Sequence, residues 1–337
     1  MSGSSRSWIS QLASYQLPDD RQAIIEVLAT ALPFCAACVA SWVLFGVHPL
    51  LTILGVLPAA VFLVRLFMLQ HDCGHGSMFS SRRVNDWVGR GLGVLTLTPY
   101  DYWRFSHAQH HASSGNLDRR GLGDIDTLTV EEYRELDTIG RLKYRLYRHP
   151  FVMLGIGPAY MFLLRHRFPT GVMKVGGMPL RSVIATNVGV ALLWAAIIYT
   201  LGIGVFTFVY LPIVVLSSSL GVWLFFIQHQ FDETHWERSE SWTREDAALH
   251  GSSYYDLPRP LMWLTGNIGI HHVHHLSSRI PFHKLPQVLD DHPELKEIGR
   301  LTLWDSLRCV RLTLWDEQAK KLISFSENRR SMPAQAA

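Results

Sequence analysis

The distribution of charged residues along this chain restricts its fold more than any other feature. Residues 182–227 contain no Lys, Arg, Asp or Glu, and residues 28–46 and 50–70 contain a single one, Arg65. Over the whole chain 18% of residues are charged, against about 25% in soluble domains. A membrane-spanning helix needs about 20 apolar residues. The sequence therefore predicts an all-α membrane protein with four transmembrane helices, at about 28–46, 50–70, 182–201 and 205–227.

The remaining charges predict how the chain is oriented in the membrane. Nearly all Lys and Arg residues lie before residue 28, between residues 71 and 181, and after residue 227. Because positively charged loops stay in the cytoplasm, we expect both termini and the large polar regions on that side. The net charge of +3 suits anionic lipid headgroups, but it is too small to indicate nucleic acid as a partner.

Three histidine clusters adjoin the apolar blocks on the expected cytoplasmic side. On a helix, residues at positions i, i+3 and i+4 share one face, so each cluster can direct two or three imidazoles at one point. Imidazole binds iron, zinc and copper, and eight convergent nitrogens suit two metal ions better than one. The clusters supply the candidate catalytic and metal-ligating residues His71, His75, His107, His110, His111, His271, His274 and His275.

The composition of the clusters favours two irons over zinc. Soluble dinuclear iron proteins hold their metals largely with carboxylates, whereas these clusters contain one acid, Asp72, which we expect to point away from His71 and His75. A neutral imidazole shell avoids burying several carboxylates near the bilayer. Zinc is satisfied by three or four ligands, so eight would require two zinc ions. Two irons that activate dioxygen suit an unreactive hydrocarbon substrate presented by the membrane.

The clusters and their surroundings resemble the membrane fatty acid desaturase family, in its bacterial acyl-lipid omega-6 (delta-12) type. The motifs H-D-C-G-H, H-x-x-H-H and H-H-V-H-H occur in the order of that family, and residues 74–79, 99–103 and 228–231 are similar to its acyl-lipid branch. The resemblance implies four spans beneath a cytosolic helical cap that holds a histidine-ligated diiron centre. It also implies an oxygen-dependent reaction that removes two hydrogens from a fatty acyl chain and consumes two external electrons.

The resemblance implies that the eight motif histidines are metal ligands and that a ninth ligand lies just after the last span. We assign that ninth position to His229 rather than to His235. His272 lies between two ligand positions and is expected to face away from the metals as a neighbour. With these assignments the expected cofactors are two Fe ions, and O2 is the co-substrate.

Other polar and aromatic residues are weaker candidates around this centre. Metal-bound imidazoles usually donate their second nitrogen to an acceptor, and Asn267, four residues before His271, could face the metals. The acceptor candidates are Asp101, Asp124, Asp126 and Asp232, and the candidates for lining an acyl channel are Trp103, Trp223 and Phe226.

The sequence contains no recognisable electron-donor module, such as a dinucleotide-binding glycine motif or a four-cysteine iron–sulfur set. We therefore expect a separate donor, either a ferredoxin or a cytochrome b-type protein. The basic residues at 82–83, 119–120 and 141–148 could dock such a partner or bind membrane lipids. The substrate is expected to be a fatty acyl lipid or an acyl thioester, and the location a bacterial inner membrane with the active site in the cytoplasm.

Three segments are expected along the chain: a cytoplasmic N-terminal segment at 1–27, a membrane desaturase domain at 28–293, and a C-terminal amphipathic helix with a flexible tail at 294–337. The sequence L-T-L-W-D occurs at 301–305 and again at 312–316. Eleven residues are about three helical turns, so one helix would place both copies on one face. Residues after 327 are expected to be disordered, and the apolar run 151–164 to form an interfacial or re-entrant helix.

Two alternatives remain open at this stage. A diiron fatty acid hydroxylase, or a carotenoid hydroxylase or ketolase, would use the same metal ligands and differ in its product. A membrane metal transporter would place histidines within the spans along a path, whereas these clusters lie beyond the helix ends.

Overall fold

The computed structural model describes residues 8–121, 123–169 and 177–330, which fold mainly into helices. Seventeen α-helices and five short strands are found within these ranges. The helices are α1 Trp8–Gln11, α2 Asp20–Val47, α3 Ile53–His75, α4 Arg82–Leu95, α5 Tyr100–Ser113, α6 Val130–Glu135, α7 Thr138–Tyr147, α8 Gly157–Leu163, α9 Gly177–Leu201, α10 Ile203–Val205, α11 Leu211–His229, α12 Arg244–His250, α13 Arg259–Leu264, α14 His271–Leu276, α15 Leu285–Asp291, α16 Leu303–Cys309 and α17 Phe325–Arg330. The strands are β1 Leu128–Thr129, β2 Tyr254–Asp256, β3 Arg300–Thr302, β4 Leu314–Asp316 and β5 Lys321–Ile323.

Four helical segments are long and apolar enough to cross a membrane, which confirms the predicted number of spans. They cover Asp20–Val47, Pro49–His75, Gly177–Leu201 and Ile203–His229. The first begins at Asp20 because the Asp19 side chain accepts hydrogen bonds from the backbone amides of Arg21 and Gln22, which have no partner within the helix. The second and fourth continue without a break to His75 and His229, so these two spans carry histidines on their last turns.

Small residues bring the first two spans into close contact. A Cβ added to Gly55 of α3 would lie 2.4 Å from the Ser41 hydroxyl of α2 and 2.8 Å from the carbonyl of Ala37. Such residues let helix backbones approach closely inside a membrane. The charged residue of these two apolar blocks, Arg65, is fully buried and bonds to Glu26 at 2.5 Å. An intramembrane charge is thus neutralised by a partner on the neighbouring span.

The apolar run at 151–164 is helical but irregular. A π-helical turn at Val152–Ile156 leads into α8, and both segments pack against α11. Pro158 lies just after the π-helical turn within continuous helical backbone, where its missing N–H removes one helical hydrogen bond. The run therefore lies alongside the fourth span.

The C-terminal region differs from the expected single amphipathic helix. The first L-T-L-W-D copy ends β3 and begins α16, whereas the second copy forms β4. Strand β4 lies between β1, to which it is parallel, and β5, to which it is antiparallel. Leu314 and Trp315 are fully buried there, so tertiary burial overrides the helical spacing of the repeat.

The expectation that residues after 327 are disordered is also wrong in part. Residues 325–330 form α17, whose Asn328 side chain is buried. The remainder of the predicted tail, residues 331–337, lies outside the described residues. Strand β3 pairs in parallel with β2, so the C-terminal region is joined by strand pairing to two earlier parts of the chain.

Candidate metal centre

Four helices bring nine histidines to one place at the ends of the second and fourth spans. Helix α3 ends with the first histidine cluster, α5 carries the second, and α14 carries the third. The last residue of α11 is His229. All eight motif histidines and His229 are brought together, and they form two groups in which the nearest ring nitrogens lie within 4.8 Å of one another. The first group is His71, His75, His107, His111 and His274; the second is His110, His229, His271 and His275.

Helical spacing explains how the clusters are divided between the two groups. Each motif contributes one i, i+4 pair to a single group: 71 with 75, 107 with 111, and 271 with 275. Adjacent residues on a helix point about 100° apart, so the doublets at 110–111 and 274–275 cannot serve the same point. His110 joins the second group and His274 the first. Helices α5 and α14 therefore both contribute to both groups.

The Nε2 atoms within the first group are in direct contact. His107 Nε2 lies 3.0 Å from that of His71 and 3.1 Å from those of His75 and His111. The Nε2 atoms of His111 and His274 are also 3.1 Å apart. His75 and His107 are the partly exposed members, so the first group is open on that side.

The second group has the same spacing and is fully buried. His229 Nε2 lies 3.1 Å from the Nε2 atoms of both His110 and His271. His275 and His271 are likewise 3.1 Å apart at Nε2. Helix α11 thus supplies the fourth member of this group, at the position expected of a ninth ligand.

Hydrogen bonds at the opposite ring nitrogens fix the orientation of two imidazoles in the second group. His110 Nδ1 lies 2.5 Å from the Asp124 carboxylate, and His229 Nδ1 lies 3.2 Å from the carbonyl oxygen of Gly251. A carbonyl or an ionised carboxylate can only accept, so Nδ1 carries the proton in both rings. Their Nε2 atoms then present bare lone pairs to each other.

This arrangement fits a bound cation. Two lone pairs at 3.1 Å repel unless a positive charge lies between them. Nitrogens bound at right angles to one ion at about 2.1 Å would be about 3.0 Å apart, which matches the observed contacts. The donor set is entirely imidazole, which suits iron, zinc and copper rather than magnesium or calcium.

Asp72 contradicts the expectation that it points away from the first cluster. Its Oδ1 lies 3.1 Å from Nδ1 of His71, and its Oδ2 accepts a hydrogen bond from the backbone amide of Phe282 at 2.7 Å. The carboxylate does lie off the face that presents Nε2. However, Nδ1 lies on the backbone side of the ring, where the next residue along the helix can reach it. Asp72 thereby links α3 to the segment that follows α14.

The other predicted acceptors do not bond to candidate ligands among the described residues. Asp101 forms an ion pair with Arg90 at 2.9 Å. In the described chain, Asp126 forms hydrogen bonds through its backbone to Tyr144, Tyr147 and Arg148. Asp232 has no hydrogen bond to a histidine in the part described. Asn267 donates to the carbonyl of Phe282 at 3.2 Å.

Two histidines are placed outside both groups. His272 Nε2 faces the carbonyl oxygen of Leu295 at 2.9 Å, and burial lowers its pKa to about 4. His235 lies 3.8 Å from the Glu237 carboxylate. The structure therefore separates these two residues from the nine grouped histidines, as their positions in the sequence indicate.

The electrostatic environment keeps the imidazoles neutral. Burial, together with the neighbouring imidazoles, holds the pKa well below its ordinary value at His107, His111, His271, His274 and His275. Burial raises the pKa of Asp124, but the hydrogen bond from His110, the charge interactions with His110 and His229 and the hydrogen bond from the Gly121 amide together outweigh it and lower that pKa. Neutral nitrogens beside an ionised acceptor are the forms that bind metals.

One predicted aromatic residue contacts the centre directly. The indole of Trp103 stacks on His107 with the ring centroids 4.6 Å apart, and it meets Phe67 edge-to-face at 5.3 Å. Phe226 is fully buried beneath the guanidinium of Arg148, and Trp223 stacks against it at 6.3 Å. A role for these three residues in an acyl channel stays a prediction.

Sequence reasoning missed two contacts of the centre, the carboxylate of Asp72 and the carbonyl of Gly251. The first had a signal, because Asp72 directly follows a candidate ligand on the same helix. The second had none, since a backbone carbonyl twenty-two residues from His229 becomes a partner only through the fold.

Comparisons with known proteins agree with this geometry. A family model described as fatty acid desaturase matches residues 41–305. A Bacillus subtilis protein named fatty acid desaturase is 43% identical over 94% of this chain and 89% of its own length. A Synechocystis protein named sn-1 oleoyl-lipid 12-desaturase is 28% identical over 68% of this chain and 64% of its own length. Another, named sn-1 acyl-lipid omega-3 desaturase (ferredoxin), is 29% identical over 65% of this chain and 61% of its own length.

The family match covers most of the chain and contains all nine grouped histidines. It also includes three of the four segments that are apolar enough to span a membrane, and residues 41–47 of the first. The chain therefore belongs to the fatty acid desaturase family, membrane oxidoreductases that introduce double bonds into fatty acyl chains.

Proposed function

We propose that the nine grouped histidines hold two iron ions, one at each group, and that this centre carries out an oxygen-dependent desaturation. The observation that carries the proposal is the convergence of nine Nε2 atoms in two groups, with neighbouring atoms 3.0–3.1 Å apart. The ligands would be His71, His75, His107, His111 and His274 for one iron, and His110, His229, His271 and His275 for the other.

When bound there, the irons would supply the activation of O2. In the overall reaction two C–H bonds of adjacent methylenes are broken and a C=C double bond forms. O2 accepts four electrons, two from the acyl chain and two from an external donor. With the two protons released from the chain and two more from solvent, it leaves as two waters.

The residues of the chain would bind and orient the centre. Asp124 and the Gly251 carbonyl hold the rings of His110 and His229 with Nε2 directed inward. Asp72 does the same for His71. Such partners of metal-bound histidines typically change metal affinity by 10–100-fold when removed. Spans α3 and α11 carry the histidines at their ends, so that an acyl chain in the bilayer has a short path to the centre.

We propose a lipid-linked acyl chain as the substrate, with an acyl thioester as the alternative carrier. The names of the Synechocystis relatives, which specify an oleoyl-lipid and an acyl-lipid, support this choice. The electron donor would be a separate ferredoxin or cytochrome b-type protein, and one relative carries ferredoxin in its name. We propose a bacterial inner-membrane location, and the distribution of Lys and Arg supports placing both termini and the centre in the cytoplasm. The catalytic unit would be residues 28–293.

Mass spectrometry of total fatty acids from a bacterial host tests this function. We expect a new product lighter than its precursor by two hydrogens in cells that express the chain, and no such product with the matched variant His110→Ala. A product heavier by one oxygen atom would identify a hydroxylase instead. An unchanged profile, from folded protein containing two irons and supplied with an electron donor, would contradict an acyl substrate.

A further inference from the structure

Helix α7 has an apolar stripe that no part of the described chain covers. Ile139, Leu142 and Leu146 occupy positions i, i+3 and i+7, and their exposed fractions are 61%, 57% and 53%. On the opposite face Tyr144 and Arg148 are buried. The helix therefore packs on the protein through one face and presents three large aliphatic side chains on the other. This pattern is typical of amphipathic helices that lie along a membrane surface.

Basic residues border this stripe on both sides. With about 100° per residue, Lys143 lies on one flank of the stripe and Arg145 on the other, whereas Arg141 lies nearer the buried face. Arg145 Nε donates to the Tyr133 hydroxyl, so its guanidinium is held beside the stripe. Lys143 is exposed and has no hydrogen-bond partner among the residues that the structure describes.

The position of α7 along the membrane normal follows from a buried contact at its end. Arg148 Nη2 donates to Gln230 Oε1 at 2.7 Å, and Gln230 directly follows the last residue of the fourth span. From residue 151 onward the chain packs beside that span, and Phe151 and Ile156 point outward with most of their surface exposed. The stripe is thus continuous with the membrane-facing surface, at the level where the span ends.

We propose that α7 lies in the lipid headgroup region, with its three aliphatic side chains in the acyl layer and Lys143 and Arg145 contacting anionic headgroups. The charges alone would also suit an acidic protein partner. An exposed aliphatic stripe between them, joined to a spanning helix, fits a lipid surface better. The inference depends on the membrane-spanning segments and not on the reaction that the centre performs.

Site-directed spin labelling of the full chain in nanodiscs containing phosphatidylglycerol tests this placement. Cys35 and Cys38 are replaced by Ala, whereas Cys73 and Cys309 are buried and remain. A nitroxide is attached at Leu142→Cys and, as the matched control, at Gln318→Cys. Gln318 lies in an exposed turn near the ion pairs Arg238–Glu317 and Lys320–Glu237. Collisions with O2, which concentrates in lipid, are compared with collisions with a water-soluble nickel chelate.

We expect the label at 142 to collide more often with O2 than with the nickel chelate, and the label at 318 to show the reverse. In the charge-reversed variant Lys143→Glu/Arg145→Glu, the preference of the label at 142 for O2 should decrease. A label at 142 that meets the nickel chelate as freely as the label at 318 would overturn the proposal. So would a label shielded from both reagents, which would indicate a protein partner. Either result in a protein that still desaturates would leave the enzymatic function intact.

Discussion

At the scale of single residues, adjacent histidines on one helix point in different directions and therefore belong to different groups. Three short motifs can thus form two metal positions. The pairs at i and i+4 stay together, and the residue at i+3 crosses to the other group. The rings of His71, His110 and His229 are each held by an acceptor at Nδ1. Asp124 performs this task for His110 through a contact of 2.5 Å.

Replacing Asp124 by Ala should weaken metal binding at the second group by about 10–100-fold, because His110 loses the acceptor that fixes its proton and orientation. The measurement is iron content after dialysis against a graded series of chelator concentrations. Asp124→Asn should retain more iron than Asp124→Ala, since its amide carbonyl can still accept from Nδ1. The matched control is Asp101→Ala, which removes a carboxylate that pairs with Arg90 rather than with a ligand. Equal losses from the Asp124→Ala and Asp101→Ala variants would contradict a specific role for Asp124.

Much of this residue-scale arrangement is accessible from the sequence. Helical spacing brings the motif histidines to common faces, and the position after the last span indicates His229 over His235. The role of Asp72 is not accessible from the sequence. A rule based on helix faces considers only the direction of Cβ, whereas Nδ1 of His71 lies near the backbone, where Asp72 reaches it. The contact to Gly251 depends on how the segment after α12 is placed, which no local pattern specifies.

At the scale of elements, the two L-T-L-W-D copies show the limit of local patterns most directly. The last three residues of the repeat, L-W-D, begin helix α16 at 303–305 and form strand β4 at 314–316. Trp315 in the strand is fully buried, whereas Trp304 in α16 is 75% exposed. The difference lies in the neighbours, because β4 has strands on both sides. The long apolar helices, by contrast, are predictable since their length and lack of charge admit few alternatives.

This pair of tryptophans provides a matched test. Trp315→Ala should destabilise the fold by about 3–5 kcal/mol, because it opens a cavity in a packed region. Trp304→Ala, in the same local sequence, should change stability by about 0.5 kcal/mol or less. Thermal unfolding of both variants in detergent measures the difference as a shift in Tm. Similar shifts for the two variants would show that the second copy is not buried as described.

At the scale of the whole molecule, four spans, a shared metal centre and the C-terminal region are joined by buried polar contacts. Arg65 and Glu26 join the first two spans. Asp72 connects the second span to the segment after α14, and Arg148 bonds both to Gln230 and to the carbonyl of Leu312. The Asp72 contact holds the first histidine-bearing helix, α3, against the segment that follows the third, α14, although the two are far apart along the chain. Apolar blocks and motif order predict that such an assembly exists, but not which polar residues connect it.

The most direct test of this account is the metal stoichiometry of the purified full chain, measured by mass spectrometry of its elements. We predict two irons per chain, because nine imidazoles form two separate groups. We further predict that the double variant His229→Ala/His275→Ala loses the iron of the second group and retains the iron of the first group. A single ion per wild-type chain would contradict the division into two groups. Zinc at both positions in an active enzyme would contradict the proposed diiron centre.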